Sequence, residues 1–263
     1  ELLSRVHEGP VTFDATAETI FFTRNNKDAA PDGFKKLQIF TAKKLGDKWD
    51  NVEKLTFNNP GFNYSHPTIS ADGSALFLAS DIPGGHGGMD LYVCYQDSGK
   101  WTNLINLGEQ VNTPGNEIFP YVAADGTLYF SSDGHGGMGG LDLFYSQEFG
   151  EKWGRPISLG FPFNSETDDF GFIVDRDNKN GYFSSDRTGG LGEDDIYSFH
   201  IEGDMDVAGV SRKLDGMVVK DENGNPMEDA IVRTIQDKEI ALSTGDERLV
   251  KLSPSGDLPD DFI

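Results

Sequence analysis

The sequence contains one cysteine, few basic residues and no long apolar run. A single cysteine excludes an internal disulfide, and the apolar run Leu91–Tyr95 around Cys94 favours a buried thiol over a reactive one. The 22 Lys and Arg stand against 44 Asp and Glu, giving a formal net charge of −22. This balance argues against a nucleic-acid-binding protein, which needs a basic surface for the phosphates. No run approaches the ~20 apolar residues of a transmembrane helix, so we expect no membrane-spanning segment.

Glycine and phenylalanine are abundant by comparison. The 32 Gly and 12 Pro indicate a turn-rich chain, and the 19 Phe supply enough apolar volume for a sizeable core. The chain begins at Glu1 without an initiating Met or a signal-peptide pattern. We therefore interpret it as a piece of a longer protein.

A repeat of about 52 residues runs through the chain. Three tryptophans lie 52 residues apart, and a pair of aspartates nine residues apart recurs three times. The tryptophans are Trp49, Trp101 and Trp153, and the pairs are Asp81/Asp90, Asp133/Asp142 and Asp186/Asp195. A fixed period near 50 residues is typical of propellers and other repeat arrays.

One copy of the repeat divides into four short strands. The second strand is rich in aromatic and small residues, and Asp125-Gly126 before it favours a tight hairpin turn. The predicted strands are Phe119–Ala123, Leu128–Ser132, Leu141–Ser146 and Trp153–Leu159. Four antiparallel strands per repeat make one propeller blade.

Four such units are visible, so the predicted fold is an all-β propeller with four-stranded blades. The last copy, 170–200, has the first three strands but no tryptophan strand after them. Leu2-Leu3-Ser4 is similar to the end of a fourth strand, which predicts that the chain begins inside a blade.

The repeat resembles the WD-like (TolB-type) propeller repeat. The resemblance rests on Phe119-Pro120, Asp125-Gly126, Leu128–Asp133 and the following Leu141–Phe144. Several segments are also similar to the OmpA-family envelope proteins of Bacteroidota, which include the peptidoglycan-tethered component of the type IX secretion and gliding machinery. These segments are His7–Pro10, Phe21–Asn26, Ser65–Pro67 and Asp168–Phe172. The resemblance implies about five or more blades in the full protein, and a peptidoglycan-binding domain that this chain lacks.

A different pattern follows the propeller. We assign 1–202 to the propeller, 203–213 to a linker and 214–263 to a partial carboxypeptidase regulatory-like β-sandwich. Gly216–Val219, Gly224–Pro226 and Ala230–Val232 are similar to the opening hairpin of such sandwiches.

The repeated aspartates allow three interpretations. They suit calcium ligands, or a general acid with its carboxylate partner as in a glycosidase. They also suit turn caps that accept backbone N–H groups in the glycine-rich connection between the second and third strands. We favour the turn caps, because an active site on a propeller normally interrupts the repeat. We therefore predict no metal, no cofactor and no catalytic residue.

The remaining repeated features favour structural roles. His86 and His135 lie at different distances from their Ser-Asp dipeptides, which favours loop positions over metal ligands. The tryptophans are expected to cover the gaps between blades. Glycines recur three, four and six residues after Asp81, Asp133 and Asp186, where we expect a positive φ or a close backbone approach.

Glu117, Asp168 and Asp169 differ between copies and precede or open a first strand. In a propeller this connection lies on one rim, so we predict that the three carboxylates line a partner-binding opening. Residues 58–200 hold 20 acids and 6 bases, a net charge of −14. This excess is either ordinary solvation or an acidic face that steers a basic partner.

Two functions remain open. The first is a non-enzymatic protein-interaction scaffold of the bacterial envelope, as a component of the type IX secretion or gliding machinery. Its expected location is the periplasm, in association with the outer membrane. Its expected partners are other envelope or secretion-system proteins, and peptidoglycan through the absent domain. The second is a glycan-binding propeller or a glycoside-acting enzyme. Because no catalytic constellation breaks the repeat, we favour the scaffold and predict that the chain is not an enzyme.

Overall fold

A computed structural model describes residues 8–150, 152–201, 240–243 and 247–254. The regular structure of these residues is β-strand throughout. They include no helix that is long and apolar enough to cross a membrane. The strands form four consecutive antiparallel sheets, which confirms the predicted all-β class and the four blades.

The first two blades follow the chain order from the innermost strand outward. Blade one consists of β1 (Glu8–Phe13), β2 (Thr19–Asn25), β3 (Leu37–Leu45) and β4 (Lys48–Lys54). Blade two consists of β5 (Tyr64–Ile69), β6 (Ala75–Ser80), β7 (Asp90–Asp97), β8 (Lys100–Trp101) and β9 (Ile105–Asn106). Both β8 and β9 pair with β7, so they form one interrupted outer strand.

The third blade repeats this order, and the fourth repeats it for its first three strands. Blade three consists of β10 (Glu117–Val122), β11 (Leu128–Ser132), β12 (Asp142–Ser146), the small hairpin β13 (Glu148–Phe149) with β14 (Lys152–Trp153), and β15 (Ile157–Ser158). Blade four consists of β16 (Asp169–Val174), β17 (Asn180–Ser185), β18 (Asp195–Ile201), β19 (Ile240–Ser243) and β20 (Glu247–Pro254).

The outer strand of blade three differs from the prediction of one strand over Trp153–Leu159. The structure divides it into β14 and β15, and only β15 pairs with β12. Pro156 lies in the gap, and proline has no N–H to donate to a ladder. Gly154 N–H donates instead to the Gln147 carbonyl, which closes the β13–β14 hairpin.

The outer edge of blade four is supplied from far along the sequence. β20 pairs antiparallel with β18, and β19 pairs with β20. These strands belong to the segment 214–263 that we expected to form a separate sandwich, so the described part of that segment extends the propeller sheet. The predicted linker 203–213 and the hairpin motifs over 216–232 lie outside the described residues.

The core lies between the blades. Adjacent innermost strands contact each other in the order β1, β5, β10, β16. Apolar clusters fill the spaces between successive blades, and a tryptophan covers two of them. Trp101 packs edge-on against Phe21 of blade one at 5.7 Å, and Trp153 packs in the same way against Phe77 of blade two at 5.8 Å. The 52-residue spacing thus places Trp101 and Trp153 against equivalent rings of the preceding blade, whereas Trp49 packs against Phe13 of its own blade at 6.0 Å.

An asparagine attaches the third strands of blades one to three to the connection that leads to the next blade, and it is fully buried in blades two and three. Asn112 Oδ1 accepts from Leu91 N–H at 2.7 Å, and its Nδ2 donates to the Leu91 carbonyl at 3.0 Å. The same pair of hydrogen bonds joins Asn58 to Ile39 and Asn164 to Leu143. The side-chain amide therefore continues the β-ladder where the outer strand has ended.

We predict that Asn112→Ala destabilises the protein by about 2 kcal/mol, because it leaves the buried Leu91 N–H without a partner and leaves the Leu91 carbonyl with Leu107 N–H alone. Urea unfolding measures this difference. Asn103→Ala is the matched control, since Asn103 is exposed on the same outer connection and should change stability by less than about 0.5 kcal/mol. Equal losses for the two variants would contradict the role of the amide.

Candidate functional site

The glycine-rich connections between second and third strands lie together on one face of the propeller, and the second aspartate of each pair holds them. Asp142 Oδ2 accepts from the N–H groups of Met138 at 2.9 Å and Gly139 at 3.0 Å. Asp90 and Asp195 make the same pair of contacts in their own blades. The geometry is that of a carboxylate cap on a backbone turn.

The glycines allow the backbone to approach these carboxylates. A Cβ at Gly137 would lie 1.9 Å from Asp142 Oδ2, and a Cβ at Gly85 or Gly190 would lie 2.0 Å from the equivalent oxygen. Gly87 and Gly139 approach the next connection, where a Cβ would lie 2.2 Å from a carbonyl oxygen. The aspartate side chains therefore exclude a Cβ at the first set of glycines, and backbone carbonyl groups exclude one at Gly87 and Gly139.

The first aspartate of each pair caps a different group. Asp81 accepts from Asn63 N–H and Nδ2, both at 2.6 Å, just before the first strand of its blade. Asp133 accepts the equivalent bonds from Asn116, and Asp186 accepts from Asp168 N–H at 2.8 Å. The two aspartates of a pair therefore cap two different segments. The first caps the residue before the first strand, and the second caps the glycine-rich loop.

Asp142 has one contact fewer than Asp90. Asn106 Nδ2 donates to Asp90 at 2.9 Å, whereas Ser158 holds the equivalent position in blade three and is too short to reach. Asp142 Oδ1 is buried without a partner, because both loop N–H groups donate to Oδ2, whereas Asp90 Oδ1 accepts from Gly87 N–H. Burial raises the pKa of the Asp142 carboxyl, although the two backbone N–H groups act in the opposite direction.

The predicted rim carboxylates Glu117 and Asp169 are fully buried, which corrects their assignment to an open partner-binding rim. Glu117 accepts from Thr113 N–H at 2.8 Å and from Ser132 Oγ at 2.7 Å. Asp169 makes the equivalent bond to Ser165 N–H at 2.6 Å. These two acids thus occupy one repeated structural position, and replacing them would damage the fold rather than test binding.

The third predicted rim residue, Asp168, is half-buried and also bonded. Its Oδ1 accepts from Leu141 N–H at 2.7 Å in the glycine-rich connection of the preceding blade. Arg187 Nη2 completes the site around Asp169 with an ion pair of 2.6 Å. The carboxylate oxygens of all three acids accept hydrogen bonds from groups within the protein, so they do not line an open rim.

The two histidines of the loops have different environments. His135 is half-buried, its Nε2 lies 2.8 Å from the Val111 carbonyl, and its ring packs against Phe130 and Phe144. His86 is exposed and lines a shallow cleft of about 400 Å³ with Glu109 and Arg155. In the described part of the chain, no three His, Cys, Asp or Glu side chains are arranged to hold a metal ion.

A row of aromatic rings lies on the innermost strands. His66 stacks on Phe119 with ring centroids 3.8 Å apart, and Phe119 contacts Phe170 at 5.1 Å. His66 and Phe119 have positive φ values of 54° and 51° at equivalent β-bulges. Burial lowers the pKa of His66 to about 4, so the imidazole is neutral at pH 7 and its Nδ1 accepts from Phe119 N–H.

No protein-family model matches the chain, and no curated protein matches it in sequence. Among solved structures, TolB from Acinetobacter baumannii is similar with a TM-score of 0.51 at 16% identity. The match covers 75% of this chain and 42% of that chain, so the chain spans less than half of that protein. The chain has a β-propeller fold. The TolB-type part of the resemblance is supported at the level of fold, whereas the comparisons give no support for OmpA, type IX secretion or carboxypeptidase regulatory-like relatives.

Similar structures also include enzymes. One is a puromycin-hydrolysing peptidase from Mycobacterium tuberculosis, with a TM-score of 0.47 at 12% identity over 76% of this chain and 28% of that chain. Another is a thermostable family-43 glycoside hydrolase, with a TM-score of 0.47 at 15% identity over 74% and 71% of the two chains. The prediction that this chain is not an enzyme is therefore withdrawn, because its structural neighbours include both enzymes and TolB.

We predict that Gly137→Ala destabilises the protein by about 2 kcal/mol or more, because the new methyl group overlaps the buried Asp142 carboxylate. Gly136→Ala is a matched control one residue away, where a Cβ has no neighbour within 4 Å. Thermal unfolding of the two variants measures the difference. If both variants melt together, close approach to the carboxylate is not what selects glycine.

A second prediction concerns the unpartnered oxygen of Asp142. Because its pKa is raised in the folded state, this group costs stability as pH rises from the unfolded value through the raised one. Ser158→Asn should give the Asp142 carboxylate the third donor that Asn106 gives Asp90, and add about 1–2 kcal/mol at pH 7. The gain should shrink as the pH falls through the raised pKa, because the carboxyl then takes up a proton.

Urea unfolding at pH 7 and pH 4 tests this prediction. Asn106→Ser is the reciprocal control, because it converts blade two to the arrangement of blade three and should lower stability at pH 7. A gain from Ser158→Asn that is the same at both pH values would show that Asp142 ionisation is not involved.

Proposed function

We propose that this chain is a protein-interaction scaffold of the bacterial envelope that attracts its partners by charge. The carrying observation is an acidic surface with few compensating cations. Residues 58–200 have a net charge of −14. The described residues form three ion pairs, and only Arg187–Asp169 lies within that region. Uncompensated carboxylates create a field that accelerates encounter with a basic partner.

The resemblance of its segments to envelope proteins supports a location in the periplasm at the outer membrane. It also supports partners among secretion or gliding proteins, and attachment to peptidoglycan through a domain outside this chain. The fold is compatible with this role, since propellers present loops from successive blades on a common face. Fold alone does not select a function, so the proposal depends on the surface.

The experiment compares two variants of equal charge. One neutralises exposed acids of blades two to four, with Glu109→Gln, Glu166→Gln and Glu193→Gln. The other neutralises exposed acids of blade one, with Glu18→Gln, Asp47→Asn and Glu53→Gln. We expect the first to reduce capture of envelope proteins several-fold at low salt, and the second to leave it nearly unchanged.

Capture that is equal for the two variants, or insensitive to salt, would contradict charge-guided binding. A parallel assay with polysaccharides, glycosides and peptides as substrates tests the other function class. Turnover of any of them by the wild-type chain, lost on unfolding, would replace the scaffold proposal.

A further inference from the structure

Each glycine-rich loop carries a single side chain between two glycines at its tip. These tip residues, which we call the tip row, are His86, Met138 and Leu191. His86 is exposed, and Met138 and Leu191 have 38% and 89% of their surface accessible. Exposed large apolar side chains at equivalent positions of successive blades indicate a surface used for contact.

The glycine that precedes each tip is constrained by the buried aspartate. Gly85, Gly137 and Gly190 approach the carboxylates too closely to accept a Cβ. After the tip, Gly87 and Gly139 are constrained in turn by the next connection. The tip is therefore the position in the centre of the loop at which a side chain can change without disturbing the fold.

The tip backbone is fixed although its side chain is free. The N–H groups of His86, Met138 and Leu191 donate to the capping aspartates at 2.6, 2.9 and 2.5 Å. Because the backbone is already fixed, binding at a tip costs side-chain entropy alone, which favours its use as an anchor. The tip row thus presents side chains of differing chemistry on a preorganised backbone.

Acidic side chains accompany each tip. Glu109 lines the same cleft as His86. The backbone of Glu166 lies against Gly139, next to Met138, and Glu193 and Asp194 follow Leu191 after one glycine. Phe161 lies 52 residues after Glu109, at the equivalent position of the connection that follows blade three. Its side chain is 48% exposed and adds apolar surface.

We propose that the tip row docks a basic protein segment through apolar side chains. Apolar groups of the segment pack on Met138, Leu191 and Phe161, while its Lys or Arg side chains face the surrounding carboxylates. Charge complementarity selects this occupant, since an acidic segment would meet carboxylates beside Met138 and Leu191, and Glu109 together with Arg155 beside His86. This inference rests on the proposed function and names the surface and partner chemistry for it.

The test uses synthetic peptides of alternating Lys and Leu, with the Glu and Leu counterpart as the charge-reversed probe. Fluorescence anisotropy measures their binding to the whole chain at low and moderate salt. We expect the Lys peptide to bind, and the double variant Met138→Ser with Leu191→Ser to weaken it at least tenfold. Phe149→Ser is the matched control, because Phe149 is 70% exposed at the outer hairpin of blade three.

Thermal unfolding first establishes that both variants are folded. Equal loss of binding in the double variant and in Phe149→Ser would overturn the tip row as the docking surface, as would no loss in either or equal binding of the Glu peptide. If the tip row fails while wild-type chain still captures envelope proteins in a salt-sensitive manner, the scaffold function stands and its surface lies elsewhere. If the tip row does not bind the Lys peptide and the wild-type chain also fails to capture envelope proteins, the proposed scaffold function is wrong.

Discussion

The carboxylate at the start of the third strand in blades two to four, buried in blades two and three, is the contact on which the loop face depends. A carboxylate removed from water requires hydrogen-bond donors, and here backbone N–H groups one and two positions after the constrained glycine supply them. The chain can reach that distance only without a Cβ at Gly137 and its equivalents. One aspartate thereby determines several neighbouring residue types, which explains why aspartate and glycine recur together.

The same loop also joins one blade to the next. Gly139 packs on the connection that contains Glu166 and Thr167, and Asp168 in that connection returns a hydrogen bond to Leu141 N–H. The buried asparagine then attaches that connection to the third strand. Loop, connection and third strand consequently form one hydrogen-bonded unit, so adjacent blades should unfold together rather than separately.

The sequence predicted the blades, the inner strands and the interblade tryptophans because these features repeat with the same residue types. It missed Glu117 and Asp169 as a repeated position because the acids differ in length and Tyr64 stands in blade two. A signal was nevertheless present, since Thr113 and Ser165 each precede the acid by four residues. Burial could not be read from spacing, because a carboxylate on a connection looks the same whether its donors are water or backbone.

The division between repeated and variable positions bears on function. Repeated aspartates, glycines and asparagines bond within the fold, and substituting them carries the cost of an unpaired buried group. The tip side chains bond to nothing in the described part of the chain, while their backbone N–H groups are held. Changes at such exposed positions usually alter stability by less than about 0.5 kcal/mol. Recognition can therefore differ from blade to blade without altering the scaffold that presents it, which is the physical basis for three equivalent loops carrying His86, Met138 and Leu191.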